Sequence, residues 1–218
     1  MEQTLFFVYH GCLLVSAIMA IIYRKPLTKW HLAIMALYLP LVFLMEVYQA
    51  SRLYIWKNST PIVYNIYRPV SVVVFAMIYS SIPFMSRFRK PIIGITAAYL
   101  LIIIITYSLF PSIFSSNNTY LTLARGICMV FFGLFFLISF FRLDNVAEET
   151  FWQPLIWITI GVVIFYPVIS ISIGFEEYLR FYKATLSGHK LYQAIPRVMG
   201  IFMYCCFSYA FYLCKKKS

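Results

Sequence analysis

The sequence predicts an all-α polytopic membrane protein, a bundle of seven transmembrane helices with its N-terminus outside and its C-terminus inside, and three observations carry that expectation. First, seven apolar runs recur along the 218 residues, and about 20 residues at about 1.5 Å each cross a hydrocarbon core about 30 Å thick. Second, 62% of the residues are hydrophobic and 11% charged, against about 45–50% and about 25% in soluble domains. Third, the basic residues stand in short clusters between the runs and favour one side. Ten (Arg24, Lys25, Lys29, Arg87, Arg89, Lys90, Arg142 and Lys215 to Lys217) fall on the side assigned as inner and five (Arg52, Lys57, Arg180, Lys183, Lys190) on the other, the bias of the positive-inside rule. That clustering accounts for the formal net charge of +11 without a nucleic-acid partner.

The whole chain, 1–218, reads as one transmembrane domain with spans at about 3–23, 30–50, 61–84, 91–110, 120–141, 152–174 and 191–213. The first run lacks a basic n-region at Met1-Glu2-Gln3 and is followed by Arg24-Lys25, the pattern of an uncleaved span entered from outside. In the second, helix is expected to reach toward Trp56. Thr60-Pro61 supplies an N-cap and first-turn pair for the third, which ends before the basic cluster Ser86-Arg87-Phe88-Arg89-Lys90. The fourth, with Leu101-Ile102-Ile103-Ile104-Ile105, is the most uniformly apolar and is expected to face lipid. Pro111 and Ser115-Ser116-Asn117-Asn118 break the chain before the fifth. Thr150 is placed as the cap of the sixth, and Phe175 to His189 forms the longest connection before the seventh.

Within this frame one stretch stands out: Tyr64-Asn65-Ile66-Tyr67-Arg68-Pro69 sets a permanently charged guanidinium inside an apolar run. Arginine stays protonated in proteins, so its burial calls for a partner, water or escape to the headgroups. Arg125 and Arg197 repeat the pattern, and Glu46 is the acid inside a span. The topology puts all four at similar depth in the outer half. It adds His10, Gln49, Tyr64, Asn65, Thr106, Tyr107, Ser108, Thr122, Tyr166, Ser170, Tyr192 and Gln193 to that layer, while the inner half offers isolated serines. Glu46 and Gln49, like Asn65 and Arg68, lie one turn apart on one face. Each arginine also abuts a helix-disturbing residue (Arg68-Pro69, Arg125-Gly126, Pro196-Arg197), which predicts kinked helices around a wet pocket. Three arginines against one glutamate favour an anion held by forked hydrogen bonds. The competing account is that each arginine snorkels to lipid phosphates.

Other residue sets carry less. Cys12, Cys128, Cys205 and Cys206 lie within apolar runs without metal-ligand spacing, and Cys214 precedes the terminal lysines, where a juxtamembrane thiol can be acylated. His10, His31 and His189 lack the spacing of a seven-helix metallohydrolase, so no metal and no cofactor is assigned. Glu176-Glu177 lacks the preceding proline of the lycopene-cyclase motif. The last span holds no lysine for retinal. Asp144, Glu148 and Glu149 form a solvated acidic patch on the inner face, and Asn58-Ser59-Thr60 and Asn117-Asn118-Thr119 match glycosylation acceptor triplets.

A Glu near the end of span two, Tyr64-Asn65-Ile66-Tyr67 opening span three and Phe151-Trp152 opening span six before Gly161 and Tyr166 resemble a group of small seven-span integral membrane proteins of Bacteroidota-type bacteria. That resemblance implies a bacterial inner membrane, makes the outer side periplasmic, and transfers no catalytic residue. The length and span count are also similar to sugar transporters of three-plus-one-plus-three helices, whose Pro-Gln signature is replaced here by Gln153-Pro154.

The expected function is therefore a sensor or receptor-like membrane subunit. It binds an anionic solute or lipid headgroup in an arginine-rich pocket of the outer leaflet, formed by Arg68, Arg125, Arg197, Glu46, Gln49, Tyr64, Asn65, His10, Tyr166 and Tyr192. The short loops leave no output domain, so a signalling partner on the inner face is expected. The alternatives are a small-anion transporter and a lipid-active enzyme; for the enzyme only Glu46 and His10 offer proton transfer. Membrane lipids are partners in any case, and the aromatic content leaves room for a homo-oligomer.

Overall fold

The structure is a computed structural model and describes residues 2–55, 61–110, 119–143, 146–182, 185–186 and 189–217. The described chain is helical apart from one short strand pair, and seven of its helices have 21 residues or more. They are α1 (Glu2–Ile22), α3 (Met35–Ile55), α4 (Pro61–Ser81), α5 (Arg89–Leu109), α6 (Thr119–Phe140), α7 (Val146–Gly174) and α9 (Leu191–Lys216). Two short helices, α2 (Arg24–Thr28) and α8 (Glu176–Phe181), and a 3-10 segment (Pro83–Phe88) fill connections. In the long connection β1 (Thr185–Leu186) pairs antiparallel with β2 (His189–Lys190).

Five segments are long and apolar enough to cross a membrane: Thr4–Ile22, Pro83–Leu109, Thr119–Phe140, Thr150–Gly174 and Ala194–Lys216. The chain is thus a helical protein built for a membrane. Of the remaining long helices, α3 is apolar over Met35–Ser51 and carries Glu46 and Gln49, and α4 carries Asn65 and Arg68. The least buried of these segments is Pro83–Leu109, with 17% of its apolar window buried against 22% in Thr4–Ile22 and 44–50% in α6, α7 and α9.

Several boundaries differ from the sequence expectation. Helix α3 starts at Met35, because the chain first reverses through α2 and a turn in which His31 takes φ 58°. Trp30, fully buried in that turn, donates Nε1–H to the Phe151 carbonyl at 2.7 Å and stacks on the Phe151 ring. Helix α7 begins at Val146, so Thr150 lies inside its first turns and does not cap it. Its carbonyl instead accepts from Lys217 Nζ, which also donates to Gln153 Oε1 at 2.8 Å. Thr60 and the acceptor asparagines Asn58, Asn117 and Asn118 lie outside the described residues.

The prolines Pro40, Pro69, Pro154, Pro167 and Pro196 all sit inside continuous helices. Gly126 is likewise a packing residue and not a break: a Cβ there would collide with Ser170 Oγ, so α6 and α7 approach closely beside Arg125. The long helices pack in an arc. Helix α3 lies on α1, α1 on α9, α9 on α7, α7 on α6 and α6 on α4, while α5 stands outside against α4 and α6. Tyr9 against Gly200, and Ser16 Oγ bonded to the Tyr204 carbonyl and Ser208 Oγ (2.7 Å each), hold α1 to α9. Successive helices alternate in direction. One end of the bundle gathers Trp30, Phe84, Phe151, Trp152 and Lys217; the other carries Tyr9, Glu46, Tyr64, Arg125 and Ser170.

Candidate functional site: an arginine and tyrosine layer at one end of the bundle

Burial of the two central arginines is the first fact of the site. Arg68 and Arg125 are each 7% exposed, so they are enclosed by protein and do not snorkel. Arg68 keeps to its own helix: Nη1 donates to Asn65 Oδ1 at 2.6 Å, the pair expected from the spacing, and Asn65 is itself buried. Arg125 is held differently. Its Cζ lies 5.6 Å from the centroid of Tyr67 and 5.2 Å from that of Tyr166, so two ring faces enclose the guanidinium. Such faces stabilise a cation electrostatically, by about 2 kcal/mol or more when desolvated. They cannot accept its forked N–H groups, and Nε is buried with no hydrogen-bond partner among the described residues.

Glu46 faces this pair from α3. It is within hydrogen-bonding reach of the Tyr9 and Tyr64 hydroxyls and interacts with Arg125 through its field. Arg68 and Arg125 in turn act on one another as like charges. Gln49 is buried one turn from Glu46. Tyr166, nearly inaccessible, is within reach of Ser71, Tyr38 and Tyr67. The structure therefore brings together Arg68, Arg125, Glu46, Tyr64, Asn65 and Tyr166, contributed by α3, α4, α6 and α7.

Arg197 and His10 form a second group on α9 and α1. Arg197 Cζ sits 5.6 Å over the Phe6 ring, against which the His10 imidazole also packs at 4.1 Å. His10 Nδ1 bonds the Phe6 carbonyl at 2.9 Å, while His10 Nε2 and Arg197 Nη1 are buried without a partner among the described residues. The side chains of Tyr192 and Gln193 lie outside those described. Among the described residues no set of three His, Cys, Asp or Glu side chains converges on a metal position.

The space between the helices is narrower than an open wet pocket. Tyr38 and Tyr67 share a hydroxyl–hydroxyl bond of 2.8 Å with stacked rings. With Leu39, Phe75, Tyr166, Met203, Tyr204 and Phe207 they line a slit too narrow to admit a water molecule. Tyr9, Tyr38, Tyr67 and Tyr204 were not picked out by the sequence reading, although 18 tyrosines in an otherwise apolar chain were the available signal: each buries a ring and still needs a hydroxyl partner. Toward the other end the interior is aromatic, with Tyr79 against Phe132 and Phe136, and Phe84 against Phe136 and Trp152.

No family model, curated protein or solved structure matches this chain.

Proposed function

We propose that the chain is a seven-span receptor-like membrane subunit, N-terminus outside, in a bacterial inner membrane, and that the arginine and tyrosine layer binds an anionic headgroup or solute. The observation that carries this reading is Arg125, a buried permanent cation between two tyrosine faces, its Nε without a partner among the described residues. A buried charge is costly unless it is both paired and hydrogen-bonded. Two arginines at the centre against Glu46, itself within reach of the Tyr9 and Tyr64 hydroxyls, leave an excess positive charge that a phosphate or carboxylate would match through forked bonds.

Receptor is preferred to transporter because the aromatic packing below the layer, from Tyr79 to Trp152, offers an anion no polar route onward. Occupancy would be relayed through the tight α6–α7 contact at Gly126 and Ser170 toward the basic end, where a signalling partner would dock. The lipid-active enzyme remains the weakest alternative, because Glu46 and His10 belong to separate groups in the layer.

Inorganic phosphate and a short-chain phosphatidylglycerol, each added to the protein in a non-ionic detergent, test the reading. At about a hundred times Kd a bound ligand adds about 2.7 kcal/mol to stability, so one of them raises the unfolding midpoint of the wild type. Arg125→Gln, and independently Arg68→Gln, lose that rise. If neither compound moves the midpoint, or both variants respond as the wild type does, the anion site is refuted.

A further inference from the structure

The arc of helices has two free ends, and they are consecutive in sequence. Helix α3 packs on α1 and helix α4 on α5 and α6, but among the described residues α3 and α4 make no comparable backbone approach to each other. What joins them is polar and made of side chains: the Tyr38–Tyr67 hydroxyl pair and, nearer the helix ends, Glu46 with Tyr64. Elsewhere the helices approach closely, as at Gly126, Gly133, Gly161 and Gly200, and hydroxyl bonds such as Ser16 to Tyr204 and Ser208 add to that packing. At the α3–α4 seam the polar side-chain contacts stand without it among the described residues.

Three further facts concern what could pass there. Leu41, one turn beyond Tyr38, and Val70, one turn beyond Tyr67, are 48% and 44% exposed, so the seam is flanked by apolar, lipid-facing side chains. Tyr67 has two roles: its hydroxyl closes the seam with Tyr38, and its ring is one of the two faces over Arg125. A single swing of Tyr67 would open the seam and uncover the guanidinium. Finally, Arg68 and Arg125 stand seven and six residues from the ends of α4 and α6, about 9–11 Å in at 1.5 Å per residue. That depth adjoins the interfacial layer, roughly 5–8 Å thick on each side of a bilayer.

We propose that the α3–α4 seam is a lateral entrance from the bilayer, and that the ligand of the arginine layer is an anionic phospholipid whose phosphate enters between Tyr38 and Tyr67 while its acyl chains stay among Leu41 and Val70. The proposal rests on the reading of the layer as an anion site and adds the class of ligand and its route. Charge complementarity selects the lipid: a zwitterionic headgroup brings its own ammonium against Arg68 and Arg125, whereas phosphatidylglycerol brings a net negative phosphate for forked bonds. Opening the latch exchanges one neutral hydroxyl pair for charge-assisted bonds to phosphate, the stronger kind.

The test uses the full chain in phosphatidylcholine nanodiscs containing a minority of phosphatidylglycerol, with a photo-reactive phenylalanine analogue placed in turn at Leu41, Val70 and, as a control on the lipid face of α5, Ile104 (62% exposed). Cross-linked lipids are counted by mass spectrometry. At Leu41 and Val70 phosphatidylglycerol is expected about threefold or more above its share of the bilayer, as charge-assisted selection implies, and at Ile104 in proportion to its share. Adding Arg125→Gln or Arg68→Gln abolishes the enrichment. Bulk proportions at all three positions, with phosphate still stabilising the wild type and not the arginine variants, would overturn the lateral route and leave the anion site standing with a soluble ligand. Bulk proportions together with no stabilisation by either compound would overturn both.

Discussion

At the residue scale, the layer is a set of compromises between burial and charge. Arg68 is partnered by Asn65 one turn away, whereas Arg125 lies between two aromatic faces with its Nε unpaired among the described residues. The Tyr38–Tyr67 bond ties two otherwise separate helices, and a typical buried neutral hydrogen bond contributes about 0.5–1.5 kcal/mol net. Tyr38→Phe and Tyr67→Phe are each expected to lower unfolding stability by about 1 kcal/mol, and the double variant by about as much as either single one, because both remove the same bond. Denaturant unfolding of the four proteins in one detergent checks this. Additive losses would mean that the hydroxyls act separately. The spacing of Asn65 with Arg68 and of Glu46 with Gln49 made these residues legible in the sequence. Tyr64 and Tyr166 were legible too, but Tyr9, Tyr38 and Tyr204 were not, since a tyrosine in an apolar run looks the same whether it faces lipid or a neighbour's hydroxyl; Tyr209, exposed, and Tyr204, buried, illustrate the two outcomes on one helix.

At the scale of elements, hydropathy located all seven long helices but not their ends or contacts. Periodicity registers apolar length, so it is silent about polar first turns: α7 gains Val146 to Phe151 ahead of the expected start, whereas the run of α3 to Ile55 follows the expected extension toward Trp56. The prolines and the glycine beside the arginines, from which kinks were expected, all lie within continuous helices, because a long apolar helix keeps its hydrogen bonds wherever it can when no water is available. The glycines instead set helix spacing. A Cβ on Gly133 would collide with the β-branched Val163, whose side chain is stiff, whereas one on Gly94 meets nothing within 4 Å. Gly133→Ala is therefore expected to cost about 1–3 kcal/mol through overpacking. Gly94→Ala should be neutral or stabilising by up to about 1 kcal/mol through helix propensity. Thermal unfolding in detergent separates the two; equal behaviour would contradict the close α6–α7 approach. The Phe151-Trp152 pair has its explanation here too, as the seat of the turn that carries Trp30 and His31.

For the whole molecule, polarity is divided between the two ends. One holds the arginines, Glu46 and the tyrosine hydroxyls; the other holds the aromatic interior and a basic rim ending in Lys217, bonded to Gln153. The expected gathering of buried polar residues in the half that contains the N-terminus is what the fold shows for Arg68, Arg125, Asn65 and Gln49. The arc and its α3–α4 seam were not legible, because the order of helices around a lumen depends on contacts between distant parts of the chain, such as Ser16 with Ser208 and Tyr38 with Tyr67.

The central claim is that this layer holds an anion, and native mass spectrometry of the protein released from mild detergent tests it most directly. Wild type is compared with Arg68→Ala, Arg125→Ala and, as a control at the basic end, Arg142→Ala. The account predicts an anionic adduct on the wild type and Arg142→Ala that falls about tenfold or more in the other two, since losing a charge-assisted contact costs about 1.5–3 kcal/mol. Its mass would identify a phospholipid or a soluble anion. The same adducts in the same amounts on all four proteins, or none on any, would contradict it.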